Sequence, residues 1–246
     1  MELLLLPGLM CDAAVWAPLL PWVEAGAHCR IPEYSGARSV VAMAERVLDG
    51  APATFALAGH SMGGRVALEI VRRAPERVLR LALLDTGIRA RPAGAAGEDE
   101  KAKRQALLSI ARERGVRAMA HAWLQPMVHP DRLADSSLIE AILDMFERRS
   151  ADEFAGQIEA LLRRPDATTL LPAIVCPTLV LCGREDAWST RAQHEEMAAL
   201  IRGARLSIID RCGHMAPMEQ PREVGAALGA WLRMPAIAES DIQRAR

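Results

Sequence analysis

The sequence has few aromatic residues and no excess of either charge. Phe, Trp and Tyr make up 4% of its 246 residues, and 30 Lys and Arg stand against 31 Asp and Glu. Proteins that bind nucleic acid usually show a basic excess or patch, together with aromatic side chains on which bases stack. We therefore expect a small-molecule substrate and no nucleic-acid partner.

Long apolar runs and paired cysteine motifs are also missing. The run Leu3–Leu6 ends at Pro7-Gly8 after four leucines, whereas a secretion signal needs about seven or more apolar residues. No stretch reaches the roughly 20 residues of a membrane span. The five cysteines are odd in number and form no C-x-x-C pair, which favours reduced thiols over a metal finger. The sequence therefore predicts a cytoplasmic protein with no membrane partner and no metal.

Short apolar runs alternate with helical patterns at both ends of the chain, in a composition that is ordinary for a globular protein. Predicted strands cover residues 3–6, 28–32, 54–58, 78–84, 177–183 and 205–209. Predicted helices cover residues 13–26, 40–48, 62–73, 190–201 and 220–232. Such alternation is typical of an α/β fold whose strands form a mostly parallel sheet between helices.

The alternation stops in the middle of the chain. Residues 88–171 show no strand pattern; a flexible loop is expected over 89–100, followed by helices near 101–114, 116–124, 136–149 and 151–163. We predict that residues 1–87 and 172–246 form the core and that 88–171 is an inserted helical cap. Residues 234–246 carry little pattern, which favours a loose tail.

A glycine-flanked serine follows the third predicted strand. Gly59-His60-Ser61-Met62-Gly63 fits G-x-S-x-G, with a strand before it and a helix after it, as a nucleophile elbow requires. Glycines leave room for the sharp turn, and the helix N-terminus favours negative charge beside the serine. Ser61 is therefore the candidate nucleophile.

A serine hydroxyl needs a base, and the base needs an orienting carboxylate. His214 lies in a loop after the last predicted strand, and Asp186 follows the strand at 177–183. Carboxyl ends of parallel strands share one sheet edge, so Ser61, Asp186 and His214 are expected to meet there in the chain order Ser-Asp-His. Glu185 and Asp210 are the rival carboxylates, and we expect activity to fall when His214 is protonated at acid pH.

With these motifs the chain resembles the α/β-hydrolase superfamily, in particular its small cap-bearing esterases and lactonases. The resemblance implies an oxyanion hole made by two backbone N–H groups, of Met62 after the nucleophile and of Leu9 in the loop after the first strand. Pro7-Gly8 stands where many relatives have His-Gly. The implied reaction passes through an acyl-enzyme and requires no metal or organic cofactor.

We expect a serine esterase, or lactonase, for a small to medium, partly apolar substrate. Two alternatives stay open: a C–C bond hydrolase of the meta-cleavage type, which uses the same triad, and a ligand-binding protein that keeps the fold without turnover. The oligomeric state is also left open. Side chains predicted to line the pocket are Cys11, His60, Trp123, Trp188 and Met215.

Overall fold

A computed structural model describes residues 1–34 and 36–235 of the chain, and within them six parallel strands form one sheet. The strands are β1 (Glu2–Leu6), β2 (His28–Arg30), β3 (Phe55–His60), β4 (Val78–Leu84), β5 (Thr178–Gly183) and β6 (Arg205–Ile209). Their order across the sheet is β2-β1-β3-β4-β5-β6, and every neighbouring pair is parallel. The predicted α/β fold is thereby confirmed.

The described part of the chain contains ten α-helices. They are α1 (Leu20–Val23), α2 (Val40–Gly50), α3 (Met62–Arg73), α4 (Gly94–Arg114), α5 (Val116–Leu124), α6 (Ser136–Glu147), α7 (Ala151–Leu162), α8 (Arg191–Leu200), α9 (Ala216–Glu219) and α10 (Pro221–Leu232). None of these helices is long and apolar enough to cross a bilayer.

The strands of the sheet centre are buried because both of their faces are covered. All six residues of β3 and the last four of β1 are buried, and α3 packs on β1, β3 and β4. α10 packs against β4, β5 and β6. Burial on both faces explains why these strands read as continuous apolar runs rather than alternating ones.

The prediction of one helix over 13–26 is wrong. The chain forms two short 3-10 turns, Ala13–Val15 and Ala17–Leu19, before the four-residue α1. Pro18 and Pro21 each lie in the first turn of such an element. Proline lacks the N–H that a continuous helix needs at interior positions, so each proline starts a new short element.

The predicted flexible loop over 89–100 is wrong in its second half, since α4 already begins at Gly94. Alanine and glutamate in this stretch favour helix. Gly97 allows a close contact, because a Cβ there would lie 1.9 Å from the Pro92 carbonyl oxygen.

Helices α4 to α7 occupy the predicted cap region, and within it the described residues contain no strand. The division into core and cap stays a prediction. Apart from its first two residues, the predicted tail lies outside the part of the chain that the structure describes.

Candidate active site

Ser61 lies in a tight turn between β3 and α3. Its backbone has φ 54° and ψ −116°, and its N–H donates to the Leu84 carbonyl at 2.9 Å. A Cβ at Gly59 would lie 2.3 Å from the Gly63 carbonyl oxygen, and one at Gly63 would lie 2.1 Å from the Leu6 carbonyl oxygen. The turn thus requires both glycines, and it holds a non-glycine residue in a strained conformation that projects the hydroxyl from the sheet edge.

The three residues predicted from the chain order meet at this edge. His214 Nε2 lies 2.8 Å from Ser61 Oγ, and His214 Nδ1 lies 2.8 Å from Asp186 Oδ2. A carboxylate accepts only, so Nδ1 carries the proton and Nε2 is free to accept the serine proton. The arrangement can take a proton from the hydroxyl while an oxygen–carbon bond forms.

Asp186 is held as a charged group by its neighbours. Its Oδ1 accepts the backbone N–H groups of Trp188 at 2.8 Å and Ser189 at 2.9 Å. Burial by itself raises the pKa of Asp186, but the charge of His214 and these hydrogen bonds outweigh it and lower the pKa below its usual value. An ionised Asp186 favours the Nδ1–H form of His214.

The rival carboxylates have other partners. Glu185 accepts the Cys212 N–H at 3.0 Å, and Asp210 is an exposed residue that pairs with Arg184. Neither contacts His214, so the structure separates Asp186 from the two alternatives that spacing alone left open.

The loop after β1 is fixed directly beside the serine. A Cβ at Gly8 would lie 3.2 Å from Ser61 Cβ. The Pro7 carbonyl accepts the Tyr34 hydroxyl at 2.9 Å, and the Met10 N–H donates to Gln157 Oε1 at 2.8 Å. Leu9 therefore lies between two anchored residues.

A cavity of about 600 Å³ opens over Ser61 and His214, a size typical of sites for small molecules. Leu9 and Met62, the predicted oxyanion residues, lie in its wall. So do all five predicted pocket residues, which are Cys11, His60, Trp123, Trp188 and Met215. Their contact with a substrate stays a prediction.

Aromatic rings form one wall of this cavity. The Trp188 ring centre lies 6.3 Å from that of His214 and 5.4 Å from that of Trp123, which packs against Phe154 at 5.8 Å. Trp123 is buried, and its indole N–H has no hydrogen-bond partner among the described residues. This wall is therefore mainly apolar, and the unpaired indole N–H is itself buried.

Two buried acids at the site were not anticipated from the sequence. Glu219 accepts the N–H groups of Gly213, Met215 and His129, at 2.7 to 3.1 Å, and so holds the loop that carries His214. Burial raises the pKa of Glu219. A carboxylate five residues beyond His214, in an otherwise apolar segment, was the available signal.

Asp85 is the second unanticipated acid, placed directly after β4 with φ 47°. One carboxylate oxygen accepts the Gly183 N–H at 3.0 Å, and the other has no hydrogen-bond partner in the described part of the chain. Burial, reinforced by the charge of Asp186, raises the pKa of Asp85. Its position at the carboxyl end of a parallel strand was the signal that sequence reasoning passed over.

Potential metal ligands are scattered rather than clustered. Within residues 1–34 and 36–235, no three His, Cys, Asp or Glu side chains are grouped so that they could hold a metal ion.

The sequence profile of the alpha/beta hydrolase family matches residues 3–227, so the chain belongs to that family. The pimeloyl-acyl-carrier-protein methyl ester esterase of Aromatoleum aromaticum is 28% identical over 236 residues, which cover 90% of this chain and 94% of the relative. A 2-hydroxy-6-oxononadienedioate/2-hydroxy-6-oxononatrienedioate hydrolase of Cupriavidus pinatubonensis is 29% identical, over 67% of this chain and 57% of the relative.

Among solved structures, a thermophilic esterase from Thermogutta terrifontis with malate bound superposes with a TM-score of 0.84. It is 28% identical in sequence, and the match covers 95% of this chain and 89% of the esterase. These relatives are hydrolases, which agrees with the prediction of a hydrolase.

Proposed function

We propose that the protein is a serine hydrolase that cleaves carboxylic esters, lactones included, of small to medium, partly apolar acids. The observation that carries this proposal is the pair of 2.8 Å contacts from Ser61 through His214 to Asp186, at the floor of a 600 Å³ cavity. A binding protein would not require a base within hydrogen-bond distance of a strained serine.

In the first half-reaction, Ser61 Oγ attacks the ester carbonyl carbon as His214 Nε2 takes its proton. Asp186 stabilises the imidazolium that forms and keeps the imidazole in the required tautomer. The tetrahedral intermediate then collapses as His214 donates that proton to the leaving alcohol. The acyl group remains on Ser61 as an ester.

The negative oxygen of the intermediate requires donors that are already in place. We assign this role to the backbone N–H groups of Leu9 and Met62, one in the anchored loop and one at the first position of α3. Loss of one such donor typically costs about 10²–10³ in rate. The α3 dipole adds positive potential at the same point.

In the second half-reaction, water replaces the alcohol. His214 takes a proton from the water, the hydroxide oxygen attacks the acyl carbon, and Ser61 recovers its proton as the acid leaves. The chemistry needs no metal or organic cofactor. We place the helices of residues 88–171 over this site as a cap, and the protein in the cytoplasm.

The similarity to a methyl ester esterase along nearly the whole of both chains supports ester hydrolysis. Similarity to a dienedioate hydrolase keeps a C–C bond substrate as the alternative, since the same triad serves both reactions. Fold and triad do not distinguish the two, because substrate choice within this superfold is made by the pocket.

Hydrolysis of p-nitrophenyl esters from acetate to decanoate, by wild type and Ser61→Ala, tests the proposal. We expect turnover that peaks at one chain length and disappears in the variant. A folded wild type that turns over no ester or lactone would contradict it, and turnover of a meta-cleavage product would then favour the C–C hydrolase.

The substitution Asp186→Asn tests whether Asp186 orients His214, because it should lower turnover while the protein stays folded. The amide oxygen of the new side chain can still accept the Trp188 and Ser189 N–H groups, which turns the amide NH₂ toward His214 Nδ1 and favours the wrong tautomer. We expect kcat to fall by about 10³–10⁴ with little change in KM. Asp210→Asn, on an exposed residue away from His214, serves as the matched control.

A further inference from the structure

Part of the cavity that holds Ser61 is cationic rather than apolar. Its wall contains five basic side chains and two carboxylates. The basic ones are Arg65, Arg89, Lys103, Arg104 and Arg164, and the carboxylates are Glu100 and Glu196. Arg89 pairs with Glu196 and the exposed Lys103 pairs with Asp99, so the excess positive charge rests on Arg65, Arg104 and Arg164.

The ion pairs inside the wall leave charge uncompensated. Glu100 is shared by two guanidiniums, with Arg164 at 2.6 Å and Arg104 at 3.0 Å. Both arginine side chains are largely buried, at 8% and 15% exposure. One carboxylate therefore balances two buried cations.

Arg65 has no carboxylate partner at all within 4.0 Å in residues 1–34 and 36–235. Its Nη1 donates to the Arg89 carbonyl at 2.9 Å, and its Nη2 lies against Gly87, where a Cβ would approach it to 2.7 Å. A guanidinium has five N–H donors in a planar fork. Among the described residues the guanidinium makes only the hydrogen bond to the Arg89 carbonyl, so donors are left for a ligand.

Arg65 is also close to the nucleophile along the chain. It lies in the first turn of α3, four residues after Ser61, and four residues of α-helix rise about 6 Å. Both side chains face the same cavity. A single small molecule can therefore reach the serine and the guanidinium together.

The environment of Arg65 disfavours an uncompensated charge. Burial lowers the pKa of Arg65 to about 9, with repulsion from Arg164 and Arg104 adding to the effect. Arg65 is partly buried, and a charge that is partly withdrawn from water is costly unless an opposite charge is supplied. An anion bound in the cavity supplies it.

We propose that Arg65, together with Arg104 and Arg164, forms a subsite for a carboxylate at the far end of the substrate's acyl chain. The inference rests on the proposed ester hydrolysis and narrows its substrate class to monoesters of dicarboxylic acids. A planar carboxylate fits the free fork of a guanidinium with two parallel hydrogen bonds. The same cavity contains the apolar side chain of Trp123, against which a methylene chain can pack.

Matched substrates test the subsite directly. Monomethyl esters of adipic, pimelic and suberic acid are compared with the same esters whose distal acid is a primary amide, which keeps shape and polarity but removes the charge. We expect kcat/KM to favour the acid by tenfold or more at one or more of these lengths. The preference should shrink as ionic strength is raised.

Variants assign the preference to Arg65. In Arg65→Met the ratio of kcat/KM for the acid-terminated ester to kcat/KM for the amide-terminated ester should fall toward 1. Arg65→Lys retains the charge but not the planar guanidinium, so it should keep part of the preference for the acid. Arg163→Met removes an exposed arginine that pairs with Glu159 and should keep the wild-type ratio. A ratio near 1 in wild type at every length, or an unchanged ratio in Arg65→Met, would overturn the subsite.

Calorimetry on Ser61→Ala separates failure of the subsite from failure of the proposed function. Pimelate should bind to this variant. Its diamide, pimelamide, has the same chain length but no charge, and it should bind at least tenfold more weakly. If wild type hydrolyses no ester but pimelate still binds through Arg65, the hydrolase proposal fails and the subsite stands. If neutral esters are hydrolysed but pimelate binds no better than its diamide, the subsite fails and the hydrolase stands.

Discussion

His60, the residue before the nucleophile, is neutral in the folded protein. Burial, with repulsion from His214, lowers its pKa to about 3. Its Nε2–H donates to the His214 carbonyl at 2.8 Å, and its Nδ1 has no hydrogen-bond partner within the described ranges. Protonation would bury a second charge beside the triad, so the fold keeps His60 deprotonated.

The low pKa of His60 predicts an acid-dependent loss of stability. Below about pH 6.5 the unfolded chain takes up a proton at His60 and the folded protein does not, until the pH approaches 3. The contribution of His60 is therefore greatest above pH 6.5 and declines as the pH falls. Relative to His60→Gln, wild type should lose about 2 kcal/mol of unfolding free energy between pH 7 and pH 5.

Urea unfolding of both proteins at several pH values measures this difference. Using the difference cancels the titration of groups common to both, such as Glu219. A difference that stays constant from pH 7 to pH 5 would show that His60 titrates alike in the folded and unfolded states.

The elbow between β3 and α3 depends on close contact between backbone segments. A methyl group at Gly63 would meet the Leu6 carbonyl oxygen at 2.1 Å and that of Pro7 at 2.7 Å. Both atoms are backbone, so neither can move away by a change of rotamer. The helix and the strand must separate instead.

We expect Gly63→Ala to lower the unfolding free energy by about 3 kcal/mol, because overpacking against backbone is not relieved locally. Urea denaturation measures the change. Gly50→Ala is the control: it lies at the end of α2 with nothing within 4 Å of a Cβ, and alanine there should be neutral or slightly stabilising. Equal effects at the two sites would argue against the close contact.

Element prediction succeeded for short strand patterns, both in the buried β4 and in β6 at the edge of the sheet. The runs at 78–84 and 205–209 became β4 and β6 with the predicted bounds. It failed over 13–26, where apolar spacing looked helical but two prolines divide the segment. Apolar residues at helical spacing indicate which face of a segment is buried. A series of short turns can bury the same face as one helix, so the spacing alone did not distinguish the two.

At the scale of the whole molecule, Glu219 connects the His214 loop to the segment between α5 and α6. Its carboxylate accepts the Gly213 and Met215 N–H groups on one side and the His129 N–H on the other. The His214 N–H donates to the Met127 carbonyl at 2.6 Å, which adds a second link. The position of the base thus depends on contacts far apart in sequence.

Glu219→Gln should disturb the His214 loop without touching the triad. Glutamine replaces one acceptor oxygen with an NH₂ that faces N–H donors, so at least one buried donor loses its partner. We expect kcat to fall by about tenfold or more and the unfolding free energy to fall by about 2 kcal/mol. Steady-state kinetics and urea denaturation measure the two effects.

Glu223→Gln, in the exposed first turn of α10, is the control and should leave both quantities unchanged. If Glu219→Gln retained wild-type kcat while losing stability, the carboxylate would hold the fold together without positioning His214.

The sequence by itself determined the fold class, the elbow that carries Ser61, and the sheet edge at which a histidine and a carboxylate join the serine. Apolar runs of strand length can be buried only in a covered sheet, and parallel strands bring their carboxyl ends to one edge. Ser61, His214 and the candidate carboxylates each follow such a strand, so chain order predicted that they lie at one edge of the sheet.

The tertiary structure decided what surrounds those residues. Asp186 rather than Glu185 or Asp210 faces His214 because of how the loop after β5 turns, and spacing does not encode that. Arg65 and Glu219 acquire their roles from groups that are distant in sequence and close in the folded chain. The burial of a residue and the balance of charge around it depend on all residues that lie nearby in the fold, whatever their distance in sequence. Only the folded chain therefore determines them.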